Sequence, residues 1–357
     1  MAEDLGKKLL TEIDELGLDE IFQTLRLQEE TTQSYFRLPT LDRLLQVIAE
    51  VRPTAAKLKP AAPTIELTSL ASGGGKTHLI YYLTAVAVLP VSLGGKQACA
   101  VIIDADSSFS VPRLVQQLNN MSKRLHHREA TETGTGEATM ALLKHVHILR
   151  PQSLSSTVAT LDNLPAYLFD ESKHHSIDRR VAFVALDSAA AFYWQHRADE
   201  DDATLLASTT PTSVAPPKPS GYAQLATALR RASSSFACPI VLTSWHLGPT
   251  PPMAHTQGAD ARSIRPSLPA PLSQMPTLRL VVRRIPVRRF PVGISNEEAL
   301  REAADRQKAV EGRKFEAVVN EWGVDERTLQ KLQAVGFGFG FSINAEGLNL
   351  DETTLLA

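Results

Sequence analysis

The chain has 357 residues and a net charge of −2 at pH 7, so it is no uniformly basic nucleic-acid glove, and any DNA contact must come from a local patch or from partners. That length suits one large domain or two small ones, the 43% of hydrophobic residues suffice to bury a full core, and the apolar runs are all broken within about ten residues, too short to cross a membrane. Cys99 and Cys238 are the two cysteines; each sits in an apolar run without metal-ligand spacing, so buried reduced thiols in a soluble, intracellular protein are expected rather than a disulfide or a zinc site.

Along the chain, residues 5–26 carry Leu9, Ile13, Leu16, Ile21 and Leu25 at roughly helical spacing, interrupted at Gly17, and a second helix is expected to begin at Leu38-Pro39-Thr40. A linker at Pro60 and Pro63 follows. Strand-length apolar runs then alternate with helical stretches. Strands are predicted over 64–67, 98–103, 145–149, 181–186, 239–243 and 278–282, and helices over 76–89, 112–125, 155–169 and 222–236. Strands that are apolar on both faces belong between layers of helix, so the pattern predicts an α/β fold with a mainly parallel sheet flanked by helices. Three polar or Pro-rich stretches, near 126–138, 198–220 and 248–276, are predicted to be disordered surface loops. The second opens on Asp199-Glu200-Asp201-Asp202, either a solvated acidic face or a partner contact. A charged helix over 296–314 and a short αβ tail close the chain, and the alternation of Gly and Phe over 336–341 suits an edge strand with Phe on one face. The predicted organisation is a helical extension and linker over 1–60, a core over 61–292 and a C-terminal helix and tail over 293–357.

Between the first predicted strand and its helix stands Ser72-Gly73-Gly74-Gly75-Lys76-Thr77. A phosphate chain needs backbone N–H groups that can approach closely, a cation for the β and γ oxygens and a hydroxyl for Mg²⁺; the glycines, Lys76 and Thr77 supply these at the expected spacing. The full pattern has a further glycine five residues before Gly75, and here that position is Leu70. An ordinary Gly-rich turn is the competing reading. Two strands end in acids, Asp104-Ala105-Asp106 and Asp187-Ser188. The C-terminal ends of parallel strands meet at the ligand edge, where Asp187 could hold Mg²⁺ through water and Asp106 could orient an attacking water. Either acid could instead cap the helix that follows. The nucleotide reading requires the glycine bend to lie beside the strand that carries Asp187.

Tyr82-Leu83-Thr84-Ala85 with Leu89-Pro90, Ile103-Asp104-Ala105-Asp106 and above all the run from Leu186-Asp187-Ser188 to Phe192-Tyr193-Trp194 resemble the eukaryotic RecA-type recombinase paralogues, over roughly residues 5–250. The resemblance implies a RecA-like P-loop NTPase core binding ATP and Mg²⁺, and a nuclear role in homologous recombination beside other recombinase paralogues and the main recombinase. It implies phosphate and Mg²⁺ roles for Lys76 and Thr77 and the Mg²⁺-side acid at Asp187. Three departures stand out: Leu70 for the loop glycine, Asp106 where catalytic members carry the longer Glu, and Trp245 where they carry a γ-phosphate-sensing Gln. Together they imply binding with feeble hydrolysis, at most a weak DNA-dependent ATPase, or binding degraded altogether.

Arg279, Arg283, Arg284, Arg288 and Arg289 crowd one stretch, either a contact for DNA phosphates or a charged strand edge. Phe192-Tyr193-Trp194 could stack on bases or pack beneath a helix. His174-His175 lack companion ligands. Besides the recombinase-paralogue subunit, the alternatives are a small-molecule P-loop kinase with lids at 126–138 or 198–220, and a non-enzymatic scaffold with a vestigial loop.

Overall fold

Six strands pair in parallel, and those in the middle of the sheet are buried on both faces, as strands between two helical layers are. The computed structural model describes residues 34–51, 62–125, 135–209, 220–248, 262–285, 293–312 and 314–356. The strands are β1 (Thr64–Ser69), β2 (Cys99–Asp104), β3 (Val146–Leu149), β4 (Val181–Asp187), β5 (Ile240–Trp245), β6 (Leu278–Arg284), β7 (Lys314–Val319), β8 (Gly338–Ile343) and β9 (Leu348–Leu356). They form one sheet in the order β3-β2-β4-β5-β1-β6-β7-β8-β9, parallel as far as β6 and antiparallel beyond it. The helices are α1 (Pro39–Val51), α2 (Lys76–Val88), α3 (Val111–Leu125), α4 (Thr135–Leu143), α5 (Leu154–Leu168), α6 (Tyr193–Thr209), α7 (Gly221–Phe236), α8 (Asn296–Glu311) and α9 (Glu326–Val335). Residues Phe36–Ala357 make one compact unit; the helix expected over 5–26 lies outside the described residues.

Alternate strand residues feed two layers. Val101, Ile103, Val184, Leu186, Ile240 and Leu242 pack under α5 and α7, in a core closed by Tyr222, Leu225 and Leu229. The intervening residues face the opposite side, where α2 packs against β1, β2 and β4. Apolar almost all round, α2 buries Leu79, Ile80, Leu83 and Val86, as a helix sandwiched between sheet and neighbour does. Side-chain caps set the helix starts: Ser153 accepts from Ser156 N–H, Ser220 from Ala223 N–H and Asp325 from Thr328 N–H.

Several expectations need correction. Residues 198–209 are not loop but the body of α6; the acids sit one turn after bases, as in Arg197–Asp201 at 3.4 Å, a spacing that supports helix. Of the other two predicted loops, residues 135–138 open α4, and 262–276 carry a 3₁₀ turn, Leu272–Gln274, with Leu268 and Leu272 buried in the core; aliphatics among the prolines tie that stretch down. The charged helix stops at Glu311, and Lys314 begins β7. Finally, β8 is no edge strand, since β7 and β9 flank it. Its alternation has a steric origin: a Cβ on Gly338 would lie 2.1 Å from the Ala317 carbonyl oxygen, while Phe337, Phe339 and Phe341 are buried and Phe341 stacks on Phe315 at 5.4 Å. The glycine permits close strand approach on one face and the phenylalanines fill the other.

The strand carrying Asp187 is also not the neighbour of the one that leads into the glycine bend, because β5 lies between β4 and β1. Two strand spacings are about 10 Å, a gap spanned by side chains from all three strand ends.

Candidate functional site

Ser69 ends β1, and the chain turns through Gly73 at φ 74° and Gly75 at φ 95°, left-handed values that glycine adopts without strain. Gly74 is required for a different reason: a Cβ there would sit 2.8 Å from the Val282 carbonyl oxygen. Leu70 packs against Ile264, Val281 and Val318, so this departure from the full glycine pattern anchors the start of the loop in apolar core. Gly75 opens α2 and lies against Phe341 and Ile343 of β8. Ser72 and Gly73 face solvent. The loop therefore presents the N-terminal end of a buried helix to water, a natural seat for an anion.

Lys76 begins that helix and is buried. Its ammonium donates to Ser69 Oγ, which itself donates to the Ala71 carbonyl at 2.9 Å. The Trp245 ring lies 5.7 Å from Lys76 Nζ. Burial lowers the lysine pKa, opposed by the charges of Asp187 and Asp106.

Asp187 ends β4, almost wholly buried. Thr243 Oγ1 of β5 donates to Asp187 Oδ1 at 2.6 Å and accepts the Ser188 N–H at 2.6 Å. Burial raises the carboxyl pKa to about 6; nearby Asp106 and Asp104 add to the rise, and the hydroxyls of Thr243 and Thr77 oppose it. Asp187 Oδ2 is buried with no hydrogen-bond partner. A buried carboxylate oxygen without a donor, beside a threonine hydroxyl, suits a hard cation. Among the described residues no three His, Cys, Asp or Glu side chains converge on a metal, so an ion here would draw its other ligands from water and from a bound phosphate, as Mg²⁺ does.

The two acids after β2 have different surroundings. Asp104 is fully buried, bonded to Arg150 Nε at 2.9 Å and to the Phe109 N–H at 3.2 Å; it organises the turn into α3. Asp106 is exposed and accepts the Ser108 N–H at 3.2 Å, near enough for its charge to act on both Lys76 and Asp187. Ser69 and Thr243 escape sequence reasoning altogether, because a lone hydroxyl at a strand end carries no local signature.

The arginine cluster divides. Arg279 is ion-paired to Glu66 at 2.9 Å and also donates to the Ser273 carbonyl, and Arg283 is paired to Glu316. These two guanidiniums are engaged within the sheet, which argues against their grasping DNA. Arg284 is exposed at the end of β6, and Arg288 and Arg289 lie outside the described residues. Phe192 and Tyr193 pack on the core, while Trp194 is 66% exposed. His174 packs against His147 and Tyr167.

No family model matches the chain. It is similar to mouse DNA repair protein XRCC2, 30% identical over 138 residues that cover 39% of this chain and 44% of that protein. It is also similar to DNA repair protein RAD51 homolog 3 of Cricetulus griseus, 30% identical over 156 residues, covering 41% and 39% of the two chains. Human DNA repair protein RAD51 homolog 2 is 24% identical over 172 residues, covering 48% and 38%. The chain thus spans less than half the length of each of these relatives, and what it shares with three DNA repair proteins is a stretch of 138 to 172 residues.

Proposed function

We propose that this chain binds ATP with Mg²⁺ at the glycine loop and works in DNA repair by homologous recombination, as a nuclear subunit of a complex with other recombinase paralogues and the main recombinase. The observation that carries the nucleotide reading is the pairing of a left-handed glycine bend, Lys76 and Thr77 with a buried Asp187 whose Oδ2 has no donor. In that reading the loop N–H groups and Lys76 hold the phosphates, and Thr77 and Asp187 hold the ion, Asp187 through water; bound Mg²⁺ supplies charge neutralisation between phosphate oxygens. The similarity to mouse XRCC2 and the two RAD51 homologs supports the repair role, and the second X-ray-repair cross-complementing paralogue is the template we favour.

Hydrolysis is weak or absent in this proposal. Asp106 is exposed, held by its own turn and one methylene shorter than a Glu, so a water is poorly oriented. DNA is engaged through Arg284, Arg288 and Arg289 or through the partners. The kinase alternative suffers from the helical state of 198–209, which removes half of one proposed lid. The scaffold alternative has one observation in its favour, the bond between Lys76 and Ser69 that satisfies the ammonium without phosphate.

Titration calorimetry with ATP and Mg²⁺ decides between the first and last readings. Wild type binds, and Lys76→Ala weakens binding by about tenfold or more, because charge-assisted contacts to phosphate disappear. No heat from wild type would leave only the scaffold. Co-purification with no recombinase paralogue from nuclear extract would overturn the assignment to a repair complex.

A further inference from the structure

The lysine of the glycine loop is buried and has two neighbours at its ammonium. Ser69 Oγ accepts from Lys76 Nζ, and the ammonium also lies over the Trp245 ring, 5.7 Å from ring centroid to Nζ. Sheet register produces this contact. Trp245 is the last residue of β5 and pairs with Ser69, the last residue of β1, and the His246 N–H donates to the Ser69 carbonyl at 3.1 Å. The end of β5 is therefore pinned against the loop, with the indole over Nζ. Trp245 is nonetheless 47% exposed, so little packing prevents the indole from swinging outward.

An indole face is electron-rich: it attracts an ammonium and repels a phosphate oxygen. Backbone N–H groups of such a loop cradle the first two phosphates of a nucleotide, and the lysine reaches the second and third, so the third alone lacks the backbone cradle and leans most on the cation. The third phosphate must then compete with the ring for its main partner, whereas the second keeps the backbone N–H groups while the ring holds the cation.

We propose that Trp245 is a specificity-determining residue of the phosphate site: its indole covers the outer approach to Lys76 Nζ, so the site takes a nucleoside diphosphate with Trp245 in place and a triphosphate only once the indole has swung away. The inference rests on the nucleotide-binding reading above. It separates two binding modes of one site and makes Trp245 the reporter between them.

The test uses the full chain, with ADP and ATP each in Mg²⁺, for wild type, Trp245→Gln and Trp245→Phe, and with thermal melts to show that the variants fold. Wild type is expected to favour ADP by about fivefold or more, the scale of a partly exposed cation–π contact together with lost repulsion. Trp245→Gln should tighten ATP and leave ADP within about twofold, closing the ratio. ATP, and not ADP, should change tryptophan emission, and the change should vanish in Trp245→Phe, where Trp194 and Trp322 remain. Binding by wild type with an ADP-to-ATP ratio that Trp245→Gln leaves unchanged, or an emission change equal for both nucleotides, overturns the inference alone. Failure of wild type to bind either nucleotide overturns the nucleotide-binding reading and this inference with it.

Discussion

Asp187 carries two opposed demands, because the burial that prepares its carboxylate for a cation also disfavours its charge. Its pKa stands at about 6, against an ordinary 3.8, chiefly through burial. Between those values the folded chain holds a proton that the unfolded chain has released, so stability falls as pH rises through that window and stays reduced above it. Asp187→Asn keeps the acceptor for Thr243 and removes the charge. We expect it to stabilise the fold by roughly 1–3 kcal/mol at pH 8 and not at pH 4. Urea melts at the two pH values read that difference directly. Calorimetry of the same variant should show the Mg²⁺-dependent part of nucleotide binding lost. Equal stability of variant and wild type at pH 8 would mean that Asp187 is not strained by burial.

At the scale of elements, the C-terminal hairpin reaches both the glycine loop and α3. Phe341 and Ile343 of β8 lie against Gly75 at the start of α2. Across the turn, Gln117 of α3 accepts the Leu348 N–H at 2.6 Å and donates to the Leu348 carbonyl at 3.1 Å, and Asn120 bonds Asn349 at 2.9 Å. Gln117 and Leu348 are both buried, so Gln117→Ala leaves a backbone donor and acceptor unpaired in the core. A loss of about 2 kcal/mol follows. Hydrogen exchange at Leu348 should accelerate while the amides of β4 and β5 keep their protection; uniform acceleration would place the hairpin inside the global unfolding unit instead.

At the scale of the molecule, one sheet runs from the edge strand β3 to β9, and its antiparallel end has a hydrophobic filling of its own in Phe315, Phe339 and Phe341. Deleting residues 337–357 would strip β8 and β9, leaving β7 with an unpaired edge and Phe315 without its stacking partner. Unpaired edges invite pairing with other chains. The truncated chain should therefore aggregate or self-associate, as light scattering or size-exclusion chromatography would show, whereas a soluble monomer would mean that β7 is protected by other means.

Most of this architecture is local in origin and so was legible along the chain. Strands β1 to β6 and helices α2, α3, α5 and α7 follow from apolar runs and helical spacing, and the glycine loop with Lys76 and Thr77 is written in six consecutive residues. Local patterns reveal local backbone, because periodicity and turn chemistry act over a few residues. The tertiary structure alone decided what those residues meet. Asp187 finds Thr243 across 56 positions, and Gln117 finds the Leu348 amide across 231. The insertion of β5 between β1 and β4 brings Trp245 to Lys76. Arg279 and Arg283, a plausible DNA patch as a string of letters, turn inward to Glu66 and Glu316. Strand order and burial choose such partners, and neither quantity is encoded in the spacing of any single segment.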